Sequence, residues 1–313
     1  MSRQETLLQS QSSSAAVTSE NNWIASAKRQ PLAALFLFTI AATFIGFFFF
    51  LKIYAGAPIM VWAARHWLPN LNQEHGWLVV PGSLVLALYH HKELRAATKR
   101  GSNLGLLILA SGFLILLVGV RASQPRISLA SIPVILFGII YFLWGRQVSR
   151  ILAFPIAFLV FMIPVGALQQ TSFRLQVFIT NAVLWLSNLI GIKMYSVGTT
   201  LRPIGADWGF DIAEGCSGIR SLIAIIMLTT VYAHIFEKEM WKKILVVVFS
   251  IGFAIIANAG RIFTIILLAR AGYPKLAGGL YHEYSGFISF PIALLAMYFF
   301  HRLLNIWAGK PEL

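Results

Sequence analysis

Eight stretches of the chain, approximately 31 to 51, 76 to 90, 103 to 120, 127 to 144, 151 to 166, 217 to 236, 241 to 261 and 286 to 306, are apolar along their length and carry charge only near their ends. A helix needs about 20 mostly apolar residues to cross a bilayer core of about 30 Å. In lipid only helices or closed barrels satisfy all their backbone hydrogen bonds. The runs therefore predict an all-α integral membrane protein of about eight transmembrane helices. Composition agrees, with 58% apolar and 12% charged residues against about 25% charged in soluble domains. No repeat of fixed period announces a solenoid or an inverted-repeat transporter. The single cysteine excludes an intramolecular disulfide, and no Cys/His cluster has zinc-ligand spacing, so neither a metal nor a cofactor is expected.

Residues 1–30, with Gln and Ser in runs, read as a disordered cytoplasmic tail without the small-residue cleavage site of a signal peptide. Residues 31–308 are expected to form one membrane domain and 309–313 a short cytoplasmic tail. A ninth apolar stretch, Phe173 to Ile190, carries Gln170, Arg174, Asn181 and Asn188 mainly at seven-residue spacing, which makes one polar stripe on a helix. Such a helix crosses inside a bundle or lies in the interface. If it lies on the outer surface, eight spans put both termini in the cytoplasm. That topology leaves 14 of the 25 Lys and Arg in inner loops and tails, and the densest basic loop, His90 to Arg100, faces inward. The net charge of +14 thus reads as orientation in the plasma (inner) membrane, and no nucleic-acid partner is expected.

This orientation gathers polar residues on the extracytoplasmic side. Ile192 to Gly215, with glycines at 198, 205, 209 and 215, looks like short strands or a cap segment over the helices. It leads into Glu214-Gly215-Cys216-Ser217-Gly218-Ile219-Arg220, which puts Cys216 at the start of a span. A helix N-terminus and nearby cations lower a thiol pKa, whereas a free cysteine is also a common buried small hydrophobe. Asp211 and Glu214 would raise that pKa unless they point away or pair with Arg220. Arg261, three residues after Asn258, costs about 2.5 to 3.5 kcal/mol at the centre of a membrane helix and is a candidate functional group by that cost; the alternative is an arginine snorkelling to the interface. His282, in Tyr281-His282-Glu283-Tyr284-Ser285, is a candidate acid and base near neutral pH. His75, in Glu74-His75-Gly76, lines the same face or caps the second span. Pro155 and Pro164 bracket the fifth span and read as kinks.

With these motifs (His75-Gly76 with Pro81, the run Phe154 to Pro164 ending Phe-Met-Ile-Pro, Cys216-Ser217-Gly218, Asn258-x-x-Arg261 and His282), the chain resembles the exosortase/archaeosortase family of multi-span cysteine transpeptidases over most of residues 70 to 300. The resemblance implies Cys216, Arg261 and His282 as catalytic residues facing the extracytoplasmic side. It also implies secreted, membrane-tethered protein substrates that end in a short motif, often Pro-Glu-Pro, followed by a transmembrane helix and a basic tail. Asn258, Arg220, Ser217, Gly218 and His75 are the expected supporting residues. Membrane lipids are expected neighbours, and the acceptor nucleophile stays open among an amine, a glycan hydroxyl and water. A multi-span transporter, or a membrane glycosyl- or acyltransferase acting on exopolysaccharide or lipid-linked substrates, is the alternative. Asp207, Asp211, Glu214 and Glu283 keep the transferase open, whereas the lack of an inverted repeat speaks against a transporter.

Overall fold

The computed structural model describes residues 39–308 apart from 41, 55, 69–72, 165–167 and 213–218. The chain divides into two units, Met1–Ala63 and Ala64–Leu313. In the first, a π-helical turn Gly46–Phe50 brings the rings of Phe44 and Phe47 against Phe48, and an isolated antiparallel bridge joins Tyr54 to Ala57. Helix α1 (Ile59–His66) follows.

The remaining elements are α2 (Gly76–Tyr89), α3 (His91–Ala96), α4 (Leu104–Arg121), α5 (Pro125–Phe158), α6 (Leu168–Leu189), strands β1 (Met194–Val197), β2 (Thr200–Pro203) and β3 (Phe210–Asp211), then α7 (Ile219–Phe236), α8 (Met240–Arg270) and α9 (His282–Trp307). The protein is thus mostly helical. Among the described residues, four helical stretches are long and apolar enough to cross a membrane: Leu104–Arg121, Pro125–Met162, Met240–Arg270 and Pro274–Trp307. Two shorter apolar helices, Gly76–Tyr89 and Arg220–Phe236, accompany them. Of the expected run 31 to 51, residues 31–38 and 41 lie outside the described residues.

Helices α4 and α5 form an antiparallel pair built on small residues. Gly105, Gly112 and Gly119 recur every seven residues on α4, and a Cβ at any of them would strike α5 at Phe142, Ile135 or Ser128 respectively. Two backbones in lipid come this close only across such a stripe, where packing contacts replace the absent hydrophobic drive. The two expected spans 127 to 144 and 151 to 166 belong to one helical run that Gly145 breaks, with φ 77° and ψ −168°. A Cβ at Gly145 would also overlap the carbonyl oxygen of Arg100. Gly145→Ala therefore meets both a left-handed backbone and a backbone clash, and it is expected to destabilise the fold by about 2 to 5 kcal/mol. Gly252→Ala, with open space around its Cβ, should be neutral or slightly stabilising. Thermal unfolding in detergent separates the two, and equal midpoints would refute the clash.

Beyond Gly145 the second half of α5 turns to α2. Ser83 Oγ donates to the carbonyl of Pro155 (2.7 Å), and Gly82 lies under the ring of Phe158. Trp67 Nε1 donates to Met162 O (2.9 Å), and Trp77, edge-on to Trp67, donates to Trp67 O (3.1 Å).

The stripe expected on α6 is exposed at Arg174, Asn181 and Asn188; the buried face is Gln176, Ile179, Thr180, Val183 and Ser187. The two faces follow one helical period. The segment expected to form strands or a cap is a three-stranded antiparallel sheet, β1-β2-β3. Asn188 ties it to α6, since its Oδ1 accepts from Met194 N (3.0 Å) and its Nδ2 donates to Met194 O (3.3 Å). Ile179 and Val183 of α6, Met194 and Leu201 of the sheet, and Ile262 and Ile266 of α8 share one core.

Helix α8 runs to Arg270, nine residues beyond the boundary expected at 261, because Ile262, Ile265, Ile266 and Ala269 keep its apolar face buried. Arg261 consequently lies within the helix and not at its end. Ile225 of α7, Ala254 of α8 and Ala293 of α9 pack these three helices together. At the Met240 end of α8 a buried polar network ties the same helices. His301, fully buried, meets Tyr232 Oη (2.8 Å), Glu237 Oε2 (3.2 Å) and Asn305 Nδ2 (2.9 Å), and Lys242 Nζ donates to Asn305 Oδ1 (2.8 Å). Burial pushes the Glu237 carboxyl up. The backbone N–H of Glu239, His301, the N–H of Lys238 and the Lys242 charge together outweigh it and hold the group below the usual carboxylate range.

Candidate active site around Arg261 and His282

About 28 Å further along α8 from Lys242, at 1.5 Å per residue, stands Arg261. Its Nε donates to Ser285 Oγ (2.8 Å) and its Nη2 to the backbone carbonyl of His282 (2.6 Å). Ser285, 3% exposed, donates in turn to His282 O (3.2 Å), so the carbonyl in the first turn of α9 accepts from both. This carbonyl is the natural partner for a guanidinium entering from a neighbouring helix, because the fork of the side chain matches two acceptors side by side. Gly286 follows, and a Cβ there would be in ordinary van der Waals contact with Arg261 Nη1 and Cζ at 3.9 Å, so the guanidinium lies alongside this glycine. Nη1 has no hydrogen-bond partner among the described residues. An arginine with two of its three nitrogens fixed and the third presented is positioned to hold an oxyanion or a carbonyl.

A second set of bonds braces the same junction. Thr264, one turn beyond Arg261, donates to Arg261 O (2.7 Å), and Tyr281 Oη donates to Thr264 Oγ1 (2.9 Å). Tyr281 closes a π-helical turn, Ala277–Tyr281, that delivers the chain into α9. His282 is the first residue of α9, half-buried. The connection expected before the last span is thus shorter than the sequence suggested, and His282 belongs to the helix itself. Arg261 and His282, 21 residues apart, are brought into direct contact.

Asn258 is buried, 6% exposed, one turn before Arg261. Arg220, in the first turn of α7, forms an ion pair with Glu74 (3.1 Å). This joins the start of α7 to the residue preceding His75. Asp211, one of the two carboxylates of concern for the thiol, accepts from Thr199 Oγ1 (2.8 Å). His75 occupies the N-cap position of α2 but makes no side-chain cap bond, which removes the capping role as its explanation. Burial pushes its imidazole below the usual value, against the opposing pull of the Glu74 charge and a hydrogen bond with the Phe161 backbone. Cys216, Ser217, Gly218 and Glu214 lie outside the described residues. Among the described residues no group of three or more His, Cys, Asp or Glu is gathered as a metal site.

Ser285, Thr264, Tyr281 and Glu74 are the site residues that the sequence did not single out. Ser285 and Thr264 each stand three residues after a candidate, on the same helix face, and that spacing was their available signal. Glu74 had none, because its partner lies 146 positions away.

Residues 67–299 match the family described as transmembrane exosortase. No curated protein matches the chain. No solved structure matches it either.

Proposed function

Because the chain belongs to the transmembrane exosortase family, we propose that it is a membrane cysteine transpeptidase, with Cys216 as nucleophile, Arg261 as carbonyl and oxyanion holder, and His282 as acid and base. The observation that carries this reading is the fixed guanidinium of Arg261 beside His282, with Nη1 presented. Further support comes from α7, whose described part begins three residues after Cys216. Its Leu222, like Ala257 of α8 and Phe290 of α9, packs against the core of Ile225, Ala254 and Ala293 that the three helices share.

The reaction runs in two halves. The Cys216 thiolate attacks the scissile carbonyl carbon, a C–S bond forms, and the negative oxygen is held by Arg261. The C–N bond then breaks while the imidazolium of His282 gives its proton to the leaving amine. In the second half an amine, a glycan hydroxyl or water attacks the thioester and loses its proton to His282, and the thiolate departs. Asn258 and Ser285 position the arginine and the helix turn that carries the histidine. His75, through Glu74 and Arg220, supports the entry to α7.

The substrates in this reading are secreted proteins held in the membrane by a C-terminal helix with a basic tail. Eight spans with both termini in the cytoplasm put the trio, capped by the β1–β3 segment, on the extracytoplasmic face where the scissile motif emerges. A membrane-impermeant thiol reagent tests chemistry and sidedness together. Added to intact cells, it should stop processing of a co-expressed substrate, and it should label a chain whose one cysteine is residue 216. Undiminished processing by a fully labelled protein would overturn the assignment.

A further inference from the structure

An unassigned cavity lies at the far end of α8. It measures about 550 Å³ and opens between the sheet and the helix end, with Ile192, Ile204, Trp208 and Pro274 as apolar wall and Lys193 and Arg270 as its two charged residues. No lining residue is acidic; Asp207 lies between two lining residues but is not one of them. The two cations come from opposite walls, Lys193 from the start of the sheet and Arg270 from the last residue of α8. Neither takes part in an ion pair among the described residues.

Helix capping does not account for Arg270. The last carbonyls of α8 are already satisfied by backbone donors: Leu267 O by Ala271 N (2.9 Å), Leu268 O by Tyr273 N (3.2 Å) and Ala269 O by Gly272 N (3.1 Å). The sheet side is equally settled, since Ile204 N donates to Lys193 O (2.9 Å) and leaves only the side chain of Lys193 to face outward. Two cations line one cavity, and no hydrogen bond or ion pair among the described residues requires either side chain there. Such an arrangement offers an anion two charged donors and no competing carboxylate.

Location identifies which anion. Helix α8 has 31 residues, about 46 Å at 1.5 Å per residue, which matches a whole bilayer with its headgroup layers, about 40 to 45 Å. Its last residue therefore reaches the level of the headgroups whichever way the helix points. We propose that this cavity binds a phosphate group through Lys193 and Arg270, that of a lipid headgroup in the membrane or of free phosphate in solution. Arg offers a fork to phosphate oxygens and Lys a point charge. Trp208 supplies the flat apolar wall suited to the glycerol end of a headgroup. The same Trp208 packs against the core of Ile265, Ala269 and Ala277, as does Tyr281 of the turn that delivers His282.

This inference does not rest on the thiol chemistry, and its test needs no substrate. Full-length protein in neutral detergent is mixed with phosphatidylglycerol or with diacylglycerol, which lacks phosphate, and bound lipid is counted by native mass spectrometry. The wild type should retain phosphatidylglycerol at least about tenfold more tightly than Lys193→Gln/Arg270→Gln, the loss expected for two charge-assisted contacts, and diacylglycerol should not distinguish the two proteins. Lys193→Arg should retain the lipid. Displacement by millimolar inorganic phosphate would identify the phosphate group alone as sufficient; resistance to it would identify the lipid headgroup. Both side chains are exposed, so the double variant should elute and melt as the wild type does without lipid. Equal retention of phosphatidylglycerol by wild type and double variant would overturn the proposal, as would equal retention of diacylglycerol and phosphatidylglycerol by the wild type.

Discussion

Cys216→Ala is expected to yield no processed product from a co-expressed substrate bearing a C-terminal helix and basic tail, while the variant inserts and accumulates as the wild type does. The expected fall is at least about 10³-fold, because removing the nucleophile of a covalent mechanism leaves only binding and polarisation to act on the carbonyl. No other thiol is available to substitute, since the chain has one cysteine. Accumulation of uncleaved, membrane-held substrate, followed by immunoblot of both proteins, is the measurement. Processing at the wild-type rate would remove the transpeptidase reading and return the transporter and transferase alternatives to the front.

Arg261→Lys should cost about 10² to 10³ in turnover, the range for loss of one well-placed oxyanion donor, although it conserves charge. A lysine carries one nitrogen where arginine carries three. It cannot hold Ser285 Oγ and the His282 carbonyl at once and still present a donor to substrate. Ser285→Ala removes only the Nε anchor and leaves the Nη2 bond to His282 O, so it should lose far less, on the order of tenfold, chiefly in turnover and not in substrate affinity. Initial rates in reconstituted vesicles across substrate concentrations test both variants. If the lysine variant stays within a factor of two of wild type, Arg261 is a snorkelling residue and nothing more.

The helices were legible where a single physical rule decided them. Apolar runs at 103 to 120 and 286 to 306 became α4 and α9 because length and composition suffice to make a membrane helix. The same rule placed the end of α8 too early: it stopped at the charge of Arg261, whereas the chain keeps that charge inside the helix by giving it Ser285 and the His282 carbonyl. Partners that lie on another helix do not register in a hydropathy window. The left-handed Gly145 was invisible for a similar reason, as nothing in its immediate sequence tells that Arg100 O stands against it. The stripe Gly105, Gly112, Gly119 is written in the sequence at a seven-residue spacing, but its partner helix is not, since Phe142, Ile135 and Ser128 meet it only once α5 folds back. The motifs around residues 258, 261 and 282 put Asn258, Arg261 and His282 on two helices in contact. The bracing by Ser285, Thr264 and Tyr281 follows from how those helices cross, which sequence spacing does not encode.

Helices α7, α8 and α9 are stitched at one extremity by the hydrogen bonds of Glu237, Lys242, His301 and Asn305 and packed together further along at Ile225, Ala254 and Ala293, and α8 and α9 are tied a second time by the bonds of Arg261 and Tyr281. Hydrogen bonds between buried charges break abruptly and at high cost, whereas dispersion contacts yield gradually as surfaces part. Helices α8 and α9, fastened by hydrogen bonds at both levels, therefore keep a fixed spacing along the stretch that carries the Arg261–His282 contact.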